Sequence, residues 1–232
     1  MQIKDAVDWH TKIASEFDEK YSNSKYFKER FIIWKRFIDK YSNHNYSVLD
    51  LGCGSGTFTF YLAEINRAVI GLDASAEMLK LCHNKYQKSG LKNVKFINSY
   101  INNIEVVLNQ KFDIVFCSSV LEYVDDLDET IRLISRSMKL NGLLLFSLPN
   151  KNSFLRRIEP ITYKYFRRPR YYEFVKNIST PSEIEKTLNK YNFSIIENKY
   201  YGKTPLLSKL FSIDKLSCYS NNLFVSVARL TN

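Results

Sequence analysis

Glycine and proline are scarce in this chain, at seven and five of 232 residues. That excludes a collagen-like or low-complexity polypeptide. Cysteine is scarce as well. Cys53, Cys82, Cys117 and Cys218 lie far apart, with no CxxC pair and no histidine at ligand spacing. A disulfide framework and a structural zinc site are therefore not expected; the four read as reduced thiols, and a cytoplasmic protein is expected. No run approaches the ~18 apolar residues that a spanning helix needs. Met1 to Asp8 carries acids and no apolar core, unlike a secretory signal. Acids are also in deficit, 24 against 34 lysines and arginines, for a net charge of +10. Such a balance suits nucleic acid, an anionic membrane surface or an acidic substrate, and equally a solvated lysine-rich surface. What is plentiful is apolar: 45% of residues are hydrophobic, enough at this length for one α/β domain with additions and a sizeable core.

The pattern of those residues sets the expected elements. Residues 9–40 read as helical, with Phe27, Phe31, Trp34 and Ile38 at three- and four-residue steps. From 46 a regular alternation begins. Strands are expected at Tyr46–Leu51, Ala68–Leu72, Val94–Ile97, Phe112–Cys117 and Leu143–Leu148, with helices over about 56–66, 75–88 and from 125 onward. Met138 falls on the apolar face of the last helix, and Asn141-Gly142 is its expected C-cap. Thr180-Pro-Ser-Glu183 predicts a helix start, with Thr180 as cap and Glu183 three residues on. Two β-rich segments, Phe193–Tyr201 and Leu223–Arg229, close the chain with no clear helix between them, which predicts an antiparallel hairpin. Strand and helix alternating in this way imply a mostly parallel, doubly wound sheet of seven strands with helices on both faces.

One stretch carries the most chemistry. Asp50-Leu-Gly52-Cys53-Gly54-Ser-Gly56 follows a strand and opens a helix. Glycines there let the backbone turn tightly and let a ligand lie against bare peptide, while the helix start offers free N–H groups. Asp73, 21 residues after Gly52, ends the second strand, where a carboxylate suits ribose hydroxyls. The site is thus expected to take an adenosine-containing ligand. NAD is the rival, but its loop usually reads GxGxxG. Here Asp50 also stands two residues before the first glycine, where it could hold an ammonium group that NAD lacks.

With these residues in place, the sequence resembles the class I S-adenosylmethionine (SAM) dependent methyltransferases. Val48–Gly56 resembles their first motif, Gly71–Ser75 the second, Phe112–Val124 the strand-four motif and Leu140–Phe146 the strand-five motif. Within that superfamily the pattern is similar to the ubiquinone-biosynthesis O-methyltransferase group. Leu148-Pro-Asn-Lys-Asn152, a basic aromatic insertion and Pro181 follow strand five in the same order. The resemblance implies a Rossmann-like fold, SAM as cofactor and S-adenosylhomocysteine (SAH) as product. It implies that residues 1–45 form a helical cap over the cofactor site and 46–232 the SAM-binding domain. By position, Asp50 and Gly52 meet the methionine end, Cys53 and Gly54 also line the cofactor, Asp73 meets the ribose, and Ala74 and Met78 the adenine. Ser118 lies beside the cofactor, Arg30 near its carboxylate, and Tyr21 covers it. Tyr100 and Ile101 border the adenine without the acid often found there. Members of the ubiquinone group carry a Glu, Glu, His set after strand four that is implicated in metal binding. The matching positions here are Ser119, Glu122 and Tyr123, so no metal is expected.

Methyl transfer needs the acceptor atom roughly 3–3.5 Å from the reacting carbon, and a hydroxyl acceptor gains from a base. Glu122, Tyr123 and His10 are the candidates. Glu122 could instead cap the following helix. The insertion, residues 150–178, holds eight cations against Glu159 and Glu173, interleaved with aromatics. It reads as a substrate lid for an acidic acceptor, a peripheral contact with anionic membrane, an RNA-tracking segment, or plain helix cover. The expected acceptor is a small molecule, or a sugar- or lipid-linked one, methylated on oxygen. An RNA methyltransferase and a NAD-type oxidoreductase remain as alternatives, though no recognised RNA-binding module accompanies the domain. The sequence assigns no oligomeric state.

Overall fold

The computed structural model describes residues 3–203 and 217–232. Seven strands form one sheet: β1 (Ser47–Leu51), β2 (Ala68–Asp73), β3 (Val94–Asn98), β4 (Phe112–Cys117), β5 (Met138–Pro149), β6 (Phe193–Lys203) and β7 (Asn221–Leu230). Their spatial order is β3-β2-β1-β4-β5-β7-β6. β1 through β5 pair in parallel, whereas β7 runs antiparallel to both β5 and β6. The expected terminal antiparallel pair is present, with β7 inserted between β5 and β6 and preceded by a single helical turn, Ser217–Ser220.

Alternation along the strands explains why helices cover both faces. On β4, Val115 and Cys117 join one core with Ile131 and Ile134 of α7 (Leu127–Arg136) and with Ile184 and Leu188 of α9 (Pro181–Asn189). Ile114 and Phe116 point the other way, into a core with Trp34, Phe37 and Ile38 of α3 (Lys25–Tyr41) and Phe58 and Leu62 of α4 (Thr57–Ile65). α5 (Ala76–Ser89) buries the expected face of Met78, Leu79 and Cys82.

Two local expectations are corrected. Residues 9–40 are not one helical run but α1 (Ala6–Lys12), α2 (Ala14–Asn23) and α3, broken at Ile13 and at Ser24, whose backbone is extended. The breaks let the segment wrap round the end of the sheet instead of projecting from it. α7 stops at Arg136 with Ser137 as its C-cap, so Met138 belongs to β5 and Asn141-Gly142 is no helix cap. Asn141 instead takes a left-handed φ of 63° beside Gly142, where an added Cβ would lie 2.8 Å from the Lys139 carbonyl oxygen. The basic insertion, for which no elements were assigned from the sequence, has secondary structure of its own. It holds α8 (Phe154–Phe166) and a 3₁₀ turn, Arg170–Phe174. A short helix, α6 (Ile104–Val107), lies between β3 and β4.

Asn150 closes the base of that insertion. Its N–H donates to the Asn222 carbonyl, its side-chain amide to the carbonyls of Cys218 and Asn221, and it bridges to Ser179. Lys151 N–H donates to Ser179 O and Ser179 N–H to Pro149 O. The insertion therefore leaves and rejoins the sheet at one point, and then runs into α9, where Thr180 and Glu183 form the expected capping box.

Candidate active site

The C-terminal ends of β1, β2, β4 and β5 open onto one cavity of about 860 Å³, at the point where the sheet order reverses between β1 and β4. Ligands bind in such crevices in open α/β sheets. Every residue singled out from the sequence for cofactor or acceptor lies on its wall.

The glycine loop forms one end. Gly52, Gly54 and Gly56 have φ of 65°, 54° and 83°, values that side-chain-bearing residues rarely adopt. At Gly52 the close approach matters as well, because an added Cβ would lie 2.3 Å from Val120 Cγ2. At Gly54 the nearest atom is Phe17 Cε1 at 3.9 Å, so this turn faces open space. Asp73 holds the loop from below, accepting from Gly54 N–H at 2.8 Å and Ser75 N–H at 2.8 Å, one on each oxygen. Each oxygen keeps a further lone pair for a ligand. Asp50 is buried under the loop, with Thr59 Oγ1 donating to it at 2.6 Å. Burial, reinforced by the charge of Asp73 and opposed by Thr59, pushes its carboxyl up to about 7. Ala74 and the buried Met78 continue the wall, and Tyr100 and Ile101 flank its mouth after β3.

The N-terminal helices make the roof. Asp18 of α2 accepts from Ser55 Oγ at 2.6 Å and pairs with Lys85 of α5 at 2.5 Å; Thr11 of α1 donates to Ser75 Oγ at 2.8 Å. Tyr21 packs edge-on against Phe17, Phe27 and Phe58. Arg30, 6% exposed, donates from Nη2 to Ser118 O at 3.1 Å and Ser118 Oγ at 2.7 Å. Its Nε has no partner among the described residues.

The other end of the cavity holds the acid–base candidates. Glu122 is 4% exposed, and its Oε2 has no partner among the described residues. Burial pushes its carboxyl up to about 7. It does not cap α7, because Asp126 performs that task through Glu129 N–H. His10 is enclosed by Trp9, Phe17 and Tyr123 at ring separations of 4.6, 5.7 and 5.3 Å. Burial drives its pKa down to about 4, and its Nδ1 lies 2.9 Å from Ala6 O. A carbonyl only accepts, so Nδ1 carries the proton and Nε2 is left as an acceptor. The Tyr123 hydroxyl is pushed up by burial, well away from a basic role at neutral pH. Cys53 is buried behind the loop, and burial raises its thiol as well.

Several wall residues were not foreseen. Tyr26 of α3, Arg156 of α8 and Tyr171 of the 3₁₀ turn all line the same cavity as Glu122. Arg156 was hidden among eight cations; the signal was Glu159 three residues on, the one acid within α8 and so within a helical turn of it.

These residues fit an S-adenosyl group: an open glycine turn, carboxylates at the ends of β1 and β2, and a buried cation with an unsatisfied N–H. A family model for the methyltransferase domain matches residues 42–200. The ubiquinone biosynthesis O-methyltransferase of Actinobacillus pleuropneumoniae serotype 7 (strain AP76) is 29% identical over 177 residues, covering 74% of this chain and 75% of that protein. The enzyme of the same name from Coxiella burnetii (strain RSA 331 / Henzerling II) is 28% identical over 187 residues, covering 75% and 76%. Among solved structures, the N-methyltransferase NodS of Bradyrhizobium japonicum WM9, in complex with SAH, superposes with a TM-score of 0.63 at 13% identity, covering 92% of this chain and 91% of its own. A SAM-dependent methyltransferase of Clostridium acetobutylicum ATCC 824 gives 0.66 at 19% identity, covering 97% and 100%. The chain belongs to the methyltransferase-domain family and is a class I SAM-dependent methyltransferase. The oxidoreductase alternative falls with that assignment. No helix among the described residues is long and apolar enough to cross a membrane.

Proposed function

We propose that the protein methylates a hydroxyl oxygen of a small-molecule or lipid- or sugar-linked acceptor. The observation that carries this is one cavity joining the glycine loop to Glu122, a buried carboxyl with an unpartnered oxygen. The similarity to ubiquinone biosynthesis O-methyltransferases supports oxygen as the target. In this proposal residues 1–45 cap the cofactor, 46–232 form the SAM-binding domain, and 150–178 are the acceptor lid. The protein works in the cytoplasm, and the exposed Phe154, Ile161, Tyr165 and Phe166 of the lid, set among its arginines, suit peripheral contact with anionic lipid.

The residues divide the work. Asp73 would bind the ribose hydroxyls, and Ala74, Met78, Tyr100 and Ile101 the adenine. Asp50, with Gly52, Cys53 and Gly54, would hold the ammonium end, and Arg30 the carboxylate beside Ser118. A bound SAM supplies a methyl group on a sulfonium, an electrophile that needs no activation by the protein. Glu122 takes the proton from the acceptor hydroxyl at its free Oε2. Tyr21 and Phe17 exclude water from above. His10 Nε2 accepts a hydrogen bond from the acceptor, and Tyr123 shapes the wall.

Calorimetric titration with SAM, SAH and NAD tests the frame. The expected result is binding of both adenosyl ligands and none of NAD, lost in Asp73→Ala. Binding of NAD in their place would overturn it.

A further inference from the structure

The eight cations of the insertion are not equivalent. Lys151, Arg157, Lys164, Arg167, Arg168, Arg170 and Lys176 are exposed. Lys176 reaches the cavity rim while staying exposed, whereas Arg156 alone is enclosed, with its side chain 8% exposed on the cavity wall. Its surroundings form a built constellation. Nη1 donates to Glu159 Oε2 at 2.8 Å and Oε1 at 3.1 Å, and Nε donates to Asn222 O at 3.3 Å. The Tyr171 hydroxyl donates to Glu159 Oε1 at 2.5 Å, and the Tyr171 ring lies 5.6 Å from the guanidinium carbon. Glu159, 2% exposed, is thereby spent on two donors. The hydrogen bonds of Arg156 run from Nε and Nη1, and Nη2, which is not among the fully buried unpartnered atoms, stays open on the cavity wall.

We propose that Arg156 is the specificity residue of the acceptor compartment, held by Glu159, Tyr171 and Asn222 so that Nη2 receives an anionic oxygen, carboxylate or phosphate, of a ring-bearing hydroxylated acceptor. This rests on the acceptor compartment assigned above. A charge-assisted bond from a guanidinium is about twice as strong as a neutral one, which favours an anionic oxygen at Nη2 over a neutral one. Tyr26, Tyr171 and Trp9 supply flat apolar walls for a ring.

The test uses the full chain saturated with SAH and three probes: phenol, 4-hydroxybenzoate and phenyl phosphate. Titration should show at least one anionic probe binding tenfold or more tighter than phenol. Arg156→Gln should erase that preference with SAH affinity unchanged, whereas Glu159→Gln, which frees the cation, should enlarge it. Because Arg156→Gln strands a buried carboxylate, the paired variant Arg156→Gln/Glu159→Gln removes both charges and must also lose the preference. Which anion is favoured identifies the source as carboxylate or phosphate. Equal or absent binding of charged and neutral probes by the wild type, or a preference that survives in both Arg156 variants, overturns the assignment. With SAH binding intact, those outcomes leave the methyltransferase function standing; failure of the wild type to bind SAH sinks both.

Discussion

Glu122 and Asp50 are two carboxyls pushed up to about 7 by burial at opposite ends of one cavity. A base must be ionised to work, so turnover should rise as pH passes through about 7 and level off above it. Glu122→Gln should lower kcat by roughly 10²–10⁴-fold, flatten that limb and leave SAH affinity unchanged, checked by steady-state rates across pH. Equal activity in the variant removes Glu122 from the mechanism. Stability carries a second signature. A carboxyl whose folded pKa lies above its unfolded value loses stability as pH rises from about 4, where the unfolded chain ionises, to about 7, where the folded one does. Glu122→Gln should therefore melt higher than wild type at pH 8, by up to about 3 kcal/mol, and about equally at pH 4. Asp73→Ala should weaken SAH binding by about 2–3 kcal/mol in calorimetry, the loss of charge-assisted bonds to a diol. At this scale the sequence was informative where a motif fixes backbone position. Asp50 and Asp73 follow from their offsets to glycine. Tyr26 did not, because nothing local distinguishes an inward aromatic from an exposed one, and Arg156 carried only the faint signal of Glu159 three residues on.

At the scale of elements, the boundaries foreseen best are those with caps. α9 begins where Thr180 and Glu183 predict, and α5 begins after Ser75, which accepts from Met78 N–H. Thr180→Ala should cost about 1 kcal/mol in chemical denaturation. The misjudged boundaries lack such signals. Ser22-Asn23-Ser24 is a polar cluster whose breaking power shows only because Asp18 and Thr11 tie α1 and α2 back to the glycine loop and α5. Asn141-Gly142 was read as the C-cap of α7, but α7 ends at Ser137 and the pair lies inside β5, where its register against β4 shifts. α8 escaped notice because Pro160 interrupts its pattern and its apolar residues face outward as well as inward.

For the whole molecule, the alternation of strands and helices sufficed for the sheet, its direction and both cores, because buried parallel strands read as continuous apolar runs. The side on which β7 inserts was not written locally; it follows from β7 completing the hydrogen bonds of β5 and β6 together. Closure of the roof over the cavity joins α1–α3 to the sheet, so ligand binding should stabilise the whole chain. SAH at a hundred times its Kd should add about 2.7 kcal/mol, seen as a raised melting temperature, and the same concentration should add less than about 1 kcal/mol to Asp73→Ala.

Because Asn150 holds the two ends of residues 151–178 together at the ends of β5 and β7, the whole segment is an excursion from one point of the sheet. If that excursion is the proposed acceptor lid, a change within it alters what is methylated while the glycine loop keeps its hold on the donor.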